Sequence, residues 1–146
     1  MKRVLVLVGL ISVVFAWSRS ESKEQENGKA PSEPKMAEVS ELAALMKQIH
    51  IDAKDWRQQL VNGEVVSDSL SIYDLLVNST PTDSTVTGPV YQGMAANYQS
   101  KLNDFLTAEE IELAMSSYNN LVTACISCHH EYCPGPVPTI KKLYLK

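Results

Sequence analysis

The sequence predicts an all-α fold, an antiparallel four-helix bundle, from three observations. Apolar residues recur at every third or fourth position over two long segments, the period of a helix with one buried face. No segment shows the strict apolar–polar alternation that a half-buried strand requires. The stretches between the helical segments are short to moderate, which favours antiparallel neighbours.

The first helix is predicted over Met36–Leu60. Ser32 and Pro34 precede it, and Asn62-Gly63 supplies the turn chemistry that commonly ends a helix. Its apolar positions advance in alternating steps of three and four, which places them in one seam facing the bundle: Val39, Leu42, Met46, Ile49, Ala53, Trp56 and Leu60.

Two weaker segments follow. Ser69–Val77 predicts a short second helix. Gly88–Leu106 predicts a third helix, and the polar stretch Thr80–Thr87 between them predicts a loop. The third helix has a seam at helical spacing, formed by Val90, Met94, Tyr98, Leu102 and Phe105.

The fourth helix is predicted to start with a capping box, in which Thr107 is the N-cap and Glu110 stands three residues later. Pro134-Gly135-Pro136 ends it. Its inward stripe contains two residues of a cysteine motif and predicts a site inside the bundle: Ile111, Met115, Tyr118, Val122, Cys125, His129 and Tyr132.

The N-terminal part predicts export. Residues 1–18 combine Lys2 and Arg3, an apolar run and a small-x-small ending, the pattern of a secretory signal peptide. The apolar run is shorter than the ~20 residues of a spanning helix, and no cysteine follows it as a lipid attachment site. No stable membrane anchor is therefore expected. Residues 19–34 are polar and predict a flexible leader, which leaves 35–146 as one folded domain.

The charge of the exported part is acidic. The predicted signal contains two of the thirteen basic residues and none of the seventeen acidic ones, so the remainder has a formal charge of −6. An acidic chain repels the phosphate backbone, so nucleic acid is not an expected partner.

The motif Cys125-Ile126-Ser127-Cys128-His129 is the attachment signature of a c-type haem. Two thiols three residues apart face the same way on a helix and can each add to one haem vinyl group, and the next histidine can ligate the iron. A thioredoxin-like dithiol or half of a zinc site are the alternatives. The first needs a β-α-β context, and the second needs more ligands at finger-like spacing.

A helical bundle with this motif near the end of its last helix resembles the class II c-type cytochromes, the cytochrome c prime family. The residues that carry the resemblance are Cys125, Cys128, His129 and Tyr132, the aromatic three positions after the histidine. The family usually places Arg or Lys next, where this chain has Cys133. The odd Cys133 is expected to be buried or structural, and His130 to be exposed.

The resemblance implies one covalent haem c with its iron on His129, in a bacterial periplasmic protein. It implies an electron carrier between other redox proteins and not an enzyme. Pairing of two copies through an exposed helix face would also fit this family.

The resemblance further implies that the ligand opposite His129 decides the function. Met46 is the expected distal iron ligand, because it lies in the seam of the first half of the first helix and a thioether suits an electron carrier. Met36, Met94 and His50 are the other candidates. An open distal position would instead imply the alternative function, a five-coordinate haem protein that binds NO or CO.

Overall fold

The structure, a computed structural model, describes residues 38–146; the predicted signal peptide, the predicted leader and Met36 lie outside the described residues. Residues 38–146 contain five α-helices and one 3-10 turn and no strand, so the all-α prediction is confirmed for this part. The finer prediction, a four-helix bundle with covalent haem, stays a prediction. Within the same range, no helix has both the length and the apolarity to cross a membrane.

Helix α1 spans Glu41–Val61 and begins later than the predicted start at Met36. The reason is a local cap, because Ser40 has extended backbone angles and its hydroxyl accepts a hydrogen bond from the Ala43 N–H at 3.2 Å. The predicted end is confirmed: Asn62 is the C-cap, and Gly63 follows with a φ of 81° that favours glycine.

Helix α2 spans Tyr73–Asn78, so the predicted start at Ser69 is wrong. The side chain of Gln99, in the next helix, forms hydrogen bonds with the backbone groups at the start of α2. Gln99 Oε1 accepts from the N–H groups of Ile72 at 2.7 Å and Tyr73 at 3.1 Å, and Gln99 Nε2 donates to the Leu70 carbonyl at 3.0 Å. This cap replaces the one that the local sequence does not provide.

Helix α3 spans Gly88–Leu106, as predicted, and helix α4 spans Ile111–Tyr132. The predicted capping box is wrong. Thr107 is the C-cap of α3, and its hydroxyl donates to the Asn103 carbonyl at 2.8 Å, one turn back. Glu110 is the N-cap of α4 and makes no side-chain capping bond.

Two aromatic pairs show that α3 and α4 run antiparallel. Tyr91, early in α3, has its ring centroid 5.6 Å from that of Tyr132 at the end of α4. Phe105, late in α3, lies 5.5 Å from Tyr118 in the first half of α4. Both Phe105 and Tyr118 are fully buried, so this second pair belongs to the core.

Helix α1 packs against the same core. The Trp56 ring lies 5.5 Å from the Phe105 ring, and the Tyr118 hydroxyl donates to the Ala53 carbonyl at 2.8 Å. Trp56 and Tyr118 thus contribute to the core, as their seam positions predict.

The C-terminal segment, residues 137–146, belongs to the predicted folded domain, but no helix was predicted in it. It forms helix α5 (Val137–Ile140) and a 3-10 turn (Lys141–Leu143) that pack back onto α4. Asn119 on α4 fixes this segment with two bonds, because its side chain accepts from the Leu145 N–H at 2.9 Å and donates to the Leu145 carbonyl at 3.3 Å. Ile140, Leu143 and Leu145 are buried as a result.

Candidate functional site

An apolar pocket lies between α1, α3, α4 and the C-terminal segment. Its cavity volume is about 70 Å³. Its walls come from five parts of the chain, since Leu76 of α2 also lines it, and most of the lining side chains are apolar, among them Ile49, Ala53, Leu76, Ala95, Ile140 and Leu143.

The cysteine motif forms one wall of this pocket. Cys125, Cys128 and His129 all line it, and they lie on the last two turns of α4. The periodicity of α4 brings them there, because residues three and four apart share one helix face. The three residues that the sequence assigns to haem attachment therefore face the same space.

The thiols of this wall are free and protonated at neutral pH. Burial raises the pKa of Cys125 to about 12 and that of Cys128 to about 11, because a thiolate is poorly solvated there. Zinc binding and dithiol exchange both use thiolates, which occur where the thiol pKa is lowered. Among residues 38–146, no three His, Cys, Asp or Glu side chains are grouped as a metal site.

His129 has one ring nitrogen engaged and one free for a ligand bond. Its Nδ1 lies 3.3 Å from the Cys133 carbonyl oxygen and 3.2 Å from Cys133 Sγ. Burial lowers the pKa of His129, so the imidazole is neutral at pH 7. The tautomer that donates from Nδ1 to the carbonyl leaves a lone pair on Nε2, which is the usual arrangement of a metal-binding histidine.

Cys133 was expected to be buried or structural; it is exposed, so the first of these alternatives is wrong. It is the C-cap of α4, where the helix ends before Pro134. Its sulfur contacts the His129 ring. His130 is exposed, as predicted.

The pocket also contains three of the four candidate distal ligands. Met46 and His50 line it from α1, and Met94 lines it from α3. Met36 lies outside the described residues. The structure thus brings Met46 and the two alternatives into the same space as His129.

Two further groups of lining residues were missed by the sequence analysis. Tyr91 is buried, whereas the predicted seam residue Val90 is 62% exposed, so the seam of α3 is shifted by one position at its start. Ile140 and Leu143 close the pocket from the C-terminal segment. Their apolar spacing of three residues was the signal that could have revealed them.

The two tyrosines that line the pocket, Tyr91 and Tyr98, both have a raised pKa. Tyr91 donates to the Leu76 carbonyl at 2.7 Å, and burial raises its pKa to about 12. Burial also raises the pKa of Tyr98 well above its ordinary value. Both phenols therefore stay neutral at neutral pH and add no charge to the pocket.

No protein-family model, curated protein or solved structure matches the chain. The resemblance to the cytochrome c prime family therefore stays a prediction, and the residues of the pocket carry the functional argument by themselves.

These residues fit a covalently attached haem. The pocket offers an apolar interior, two thiols on one wall, and a neutral histidine with one nitrogen free. A flat apolar macrocycle with two vinyl groups and a central iron needs each of these features.

Proposed function

We propose that the protein is a periplasmic monohaem c-type cytochrome, similar to the class II cytochrome c prime family, that carries single electrons between redox proteins. The observation that carries the proposal is the position of Cys125, Cys128 and His129 on one wall of an apolar pocket. An attachment motif that arose by chance on a surface loop would have no such pocket beside it.

The residues of the pocket have separate roles. Cys125 and Cys128 would form the two thioether bonds, and His129 Nε2 would ligate the iron. Haem would supply an iron that gains and loses one electron. Leu76, Ala95 and the other apolar side chains exclude water, which limits the rearrangement that accompanies a change of charge.

The helix pairing supports the bundle part of the proposal. α3 and α4 are antiparallel, and the Tyr91 ring of α3 contacts the Tyr132 ring of α4. α1 lies against both through Trp56 and Ala53. A pocket between three long helices and near one end of α4 is where a bundle protein holds a cofactor.

The experiment that tests the proposal is a haem stain on a denaturing gel. We expect the exported protein to stain, because thioether bonds survive denaturation. The double variant Cys125→Ser with Cys128→Ser should lose the stain completely. Cys133→Ser is the matched control, since it removes a thiol that does not line the pocket, and it should keep the stain.

A stain that persists in the double variant, or one that disappears only with Cys133→Ser, would reject the proposal. A wild-type protein that is exported without any stain would reject it as well.

A further inference from the structure

A second cleft adjoins the apolar pocket. It lies between α1 and the C-terminal segment and has a cavity volume of about 330 Å³. The cleft and the pocket share two lining residues, His50 and Leu143. The other residues that line the cleft are polar or basic: Lys54, Arg57, Gln58, Thr139 and Lys142.

The cleft concentrates positive charge in an acidic protein. Lys54 and Arg57 are three residues apart on α1 and share one face with His50. At 3.6 residues per turn, Asp52 and Asp55 lie about 100° or more around α1 from each of them. Lys142 faces the same cleft from the 3-10 turn. In the part of the chain that the structure describes, none of the cations Lys54, Arg57 and Lys142 forms an ion pair.

Arg57 supplies an independent observation. Its Nε is buried and has no hydrogen-bond partner within residues 38–146. A buried donor without a partner is unfavourable, and native structures rarely leave one unmatched. Within residues 38–146, no negatively charged group pairs with the half-buried Arg57 or with the exposed Lys54 and Lys142.

We infer that this cleft binds an oxyanion, a carboxylate or a phosphate, through the Arg57 guanidinium with added charge from Lys54 and Lys142. The planar fork of arginine matches the paired oxygens of either group. One source is the carboxylates of a haem held in the adjoining pocket, and this source rests on the proposed function. The other source is free phosphate, which does not depend on it.

The test uses the exported full-length protein and three variants. Arg57→Gln removes the unpaired donor and Lys142→Gln removes the cation of the 3-10 turn. Lys101→Gln is the control, since Lys101 pairs with Asp104 on α3 outside the cleft. Two quantities are measured for each: the reduction potential as a function of pH, and the midpoint of thermal unfolding during a titration with inorganic phosphate at constant ionic strength.

If haem carboxylates fill the cleft, Arg57→Gln should disfavour the reduced state by threefold to tenfold at a fixed potential, which is up to ~59 mV for one electron. The carboxylate that loses its cation should also protonate at higher pH, so the pH at which the potential begins to change should rise. Phosphate should then have no saturable effect on the wild-type protein.

If free phosphate is the ligand, the wild-type unfolding midpoint should rise saturably with phosphate. Arg57→Gln and Lys142→Gln should lose that rise while Lys101→Gln keeps it. Should Arg57→Gln fail to fold, Lys142→Gln alone decides, because Lys142 is exposed and its loss leaves the core intact.

The inference is overturned if Arg57→Gln and Lys142→Gln match Lys101→Gln in both measurements. The haem stain separates this failure from failure of the proposed function. A stained protein with an inert cleft rejects the oxyanion site alone. An unstained protein with a saturable phosphate response keeps the site and rejects the cytochrome.

Discussion

Met46 is the side chain on which the proposed electron-carrier role depends most. It lies in the first half of α1 and lines the pocket that His129 also lines. A thioether ligand raises the reduction potential of haem iron and occupies the position where a gas would bind. A methionine in a helix seam also serves as core filler in many proteins, so a spectral test has to separate the two roles.

We predict that Met46→Leu converts the haem-loaded protein from low spin to high spin. The reason is that leucine has no atom that can ligate iron, so the sixth position opens. Ferric and ferrous absorption spectra, the latter with and without CO, measure the change. In the wild type we expect a weak far-red sulfur-to-iron band and no prompt response to CO, and in the variant we expect loss of that band and prompt CO binding.

Met94→Leu is the matched control, because Met94 lines the same pocket from α3. If the spectrum of Met46→Leu is unchanged and that of Met94→Leu is altered, the distal ligand is Met94 of α3 and not Met46. A wild type that is already high spin and binds CO promptly would favour the alternative, a gas-binding haem protein.

At this scale the sequence predicted that Cys125, Cys128 and His129 face one space inside the protein, and it missed the contacts that depend on helix ends. The structure places all three in one pocket wall, because residues three and four apart share a helix face. The role of Thr107 was not found, because a threonine between two helices can cap either one, and here it bonds backward to Asn103. The bond of His129 to the Cys133 carbonyl depends on how α4 terminates, which no local pattern specifies.

The C-terminal segment closes one side of the pocket. Leu143 is only 5% exposed and lies between the pocket and the adjoining cleft. The two bonds between Asn119 and Leu145 hold the segment against α4. Burial of apolar side chains should supply most of the segment's contribution to the free energy of unfolding.

We predict that Leu143→Ala lowers the free energy of unfolding by about 2–5 kcal/mol, the cost of a buried leucine replaced by alanine. Urea denaturation of the haem-loaded protein measures it. Leu113→Ala is the matched control, because Leu113 is 55% exposed on α4 and its truncation should change stability by about 0.5 kcal/mol or less. Equal losses for the two variants would show that the segment does not pack as described.

Helix boundaries were predicted where local sequence sets them and missed elsewhere. The span of α3 and the end of α4 follow from apolar periodicity and from Pro134-Gly135-Pro136, whereas the starts of α1 and α4 were missed. α2 begins at Tyr73 because Gln99 of another helix caps it, and that contact is tertiary. The four-residue helix α5 is too short to show a period, so only its packing against α4 orders it.

Over the whole molecule, three buried tyrosines should make stability depend on alkaline pH. Tyr91, Tyr98 and Tyr118 are all buried, and burial raises the pKa of each above its ordinary value, that of Tyr91 to about 12. The unfolded chain loses these protons near pH 10, whereas the folded chain keeps them to higher pH. Their contribution to stability is therefore complete below pH 10 and declines as the pH rises toward the folded pKa values.

We predict a loss of about 1.4 kcal/mol per pH unit for each such tyrosine above pH 10. Urea unfolding of the haem-loaded protein between pH 8 and 11, followed by circular dichroism, measures the slope. Tyr118→Phe should lower stability at pH 8 by about 1 kcal/mol, because it removes the bond to the Ala53 carbonyl. Its slope above pH 10 should be shallower than that of the wild type. If the variant and the wild type lose stability with pH at the same rate, Tyr118 does not contribute to the alkaline pH dependence.

The antiparallel pairing of α3 and α4 has a consequence for the order of folding. Only the short stretch Thr107–Glu110 joins the two helices, whereas α1 reaches them across the longer chain 62–87. The entropy lost in closing a loop grows with its length, so the α3–α4 hairpin is the least costly of these closures. That hairpin alone holds Tyr91, Cys125, Cys128 and His129 side by side. The wall to which haem would be attached can therefore form while the face that α1 covers in the folded protein is still open to the solvent.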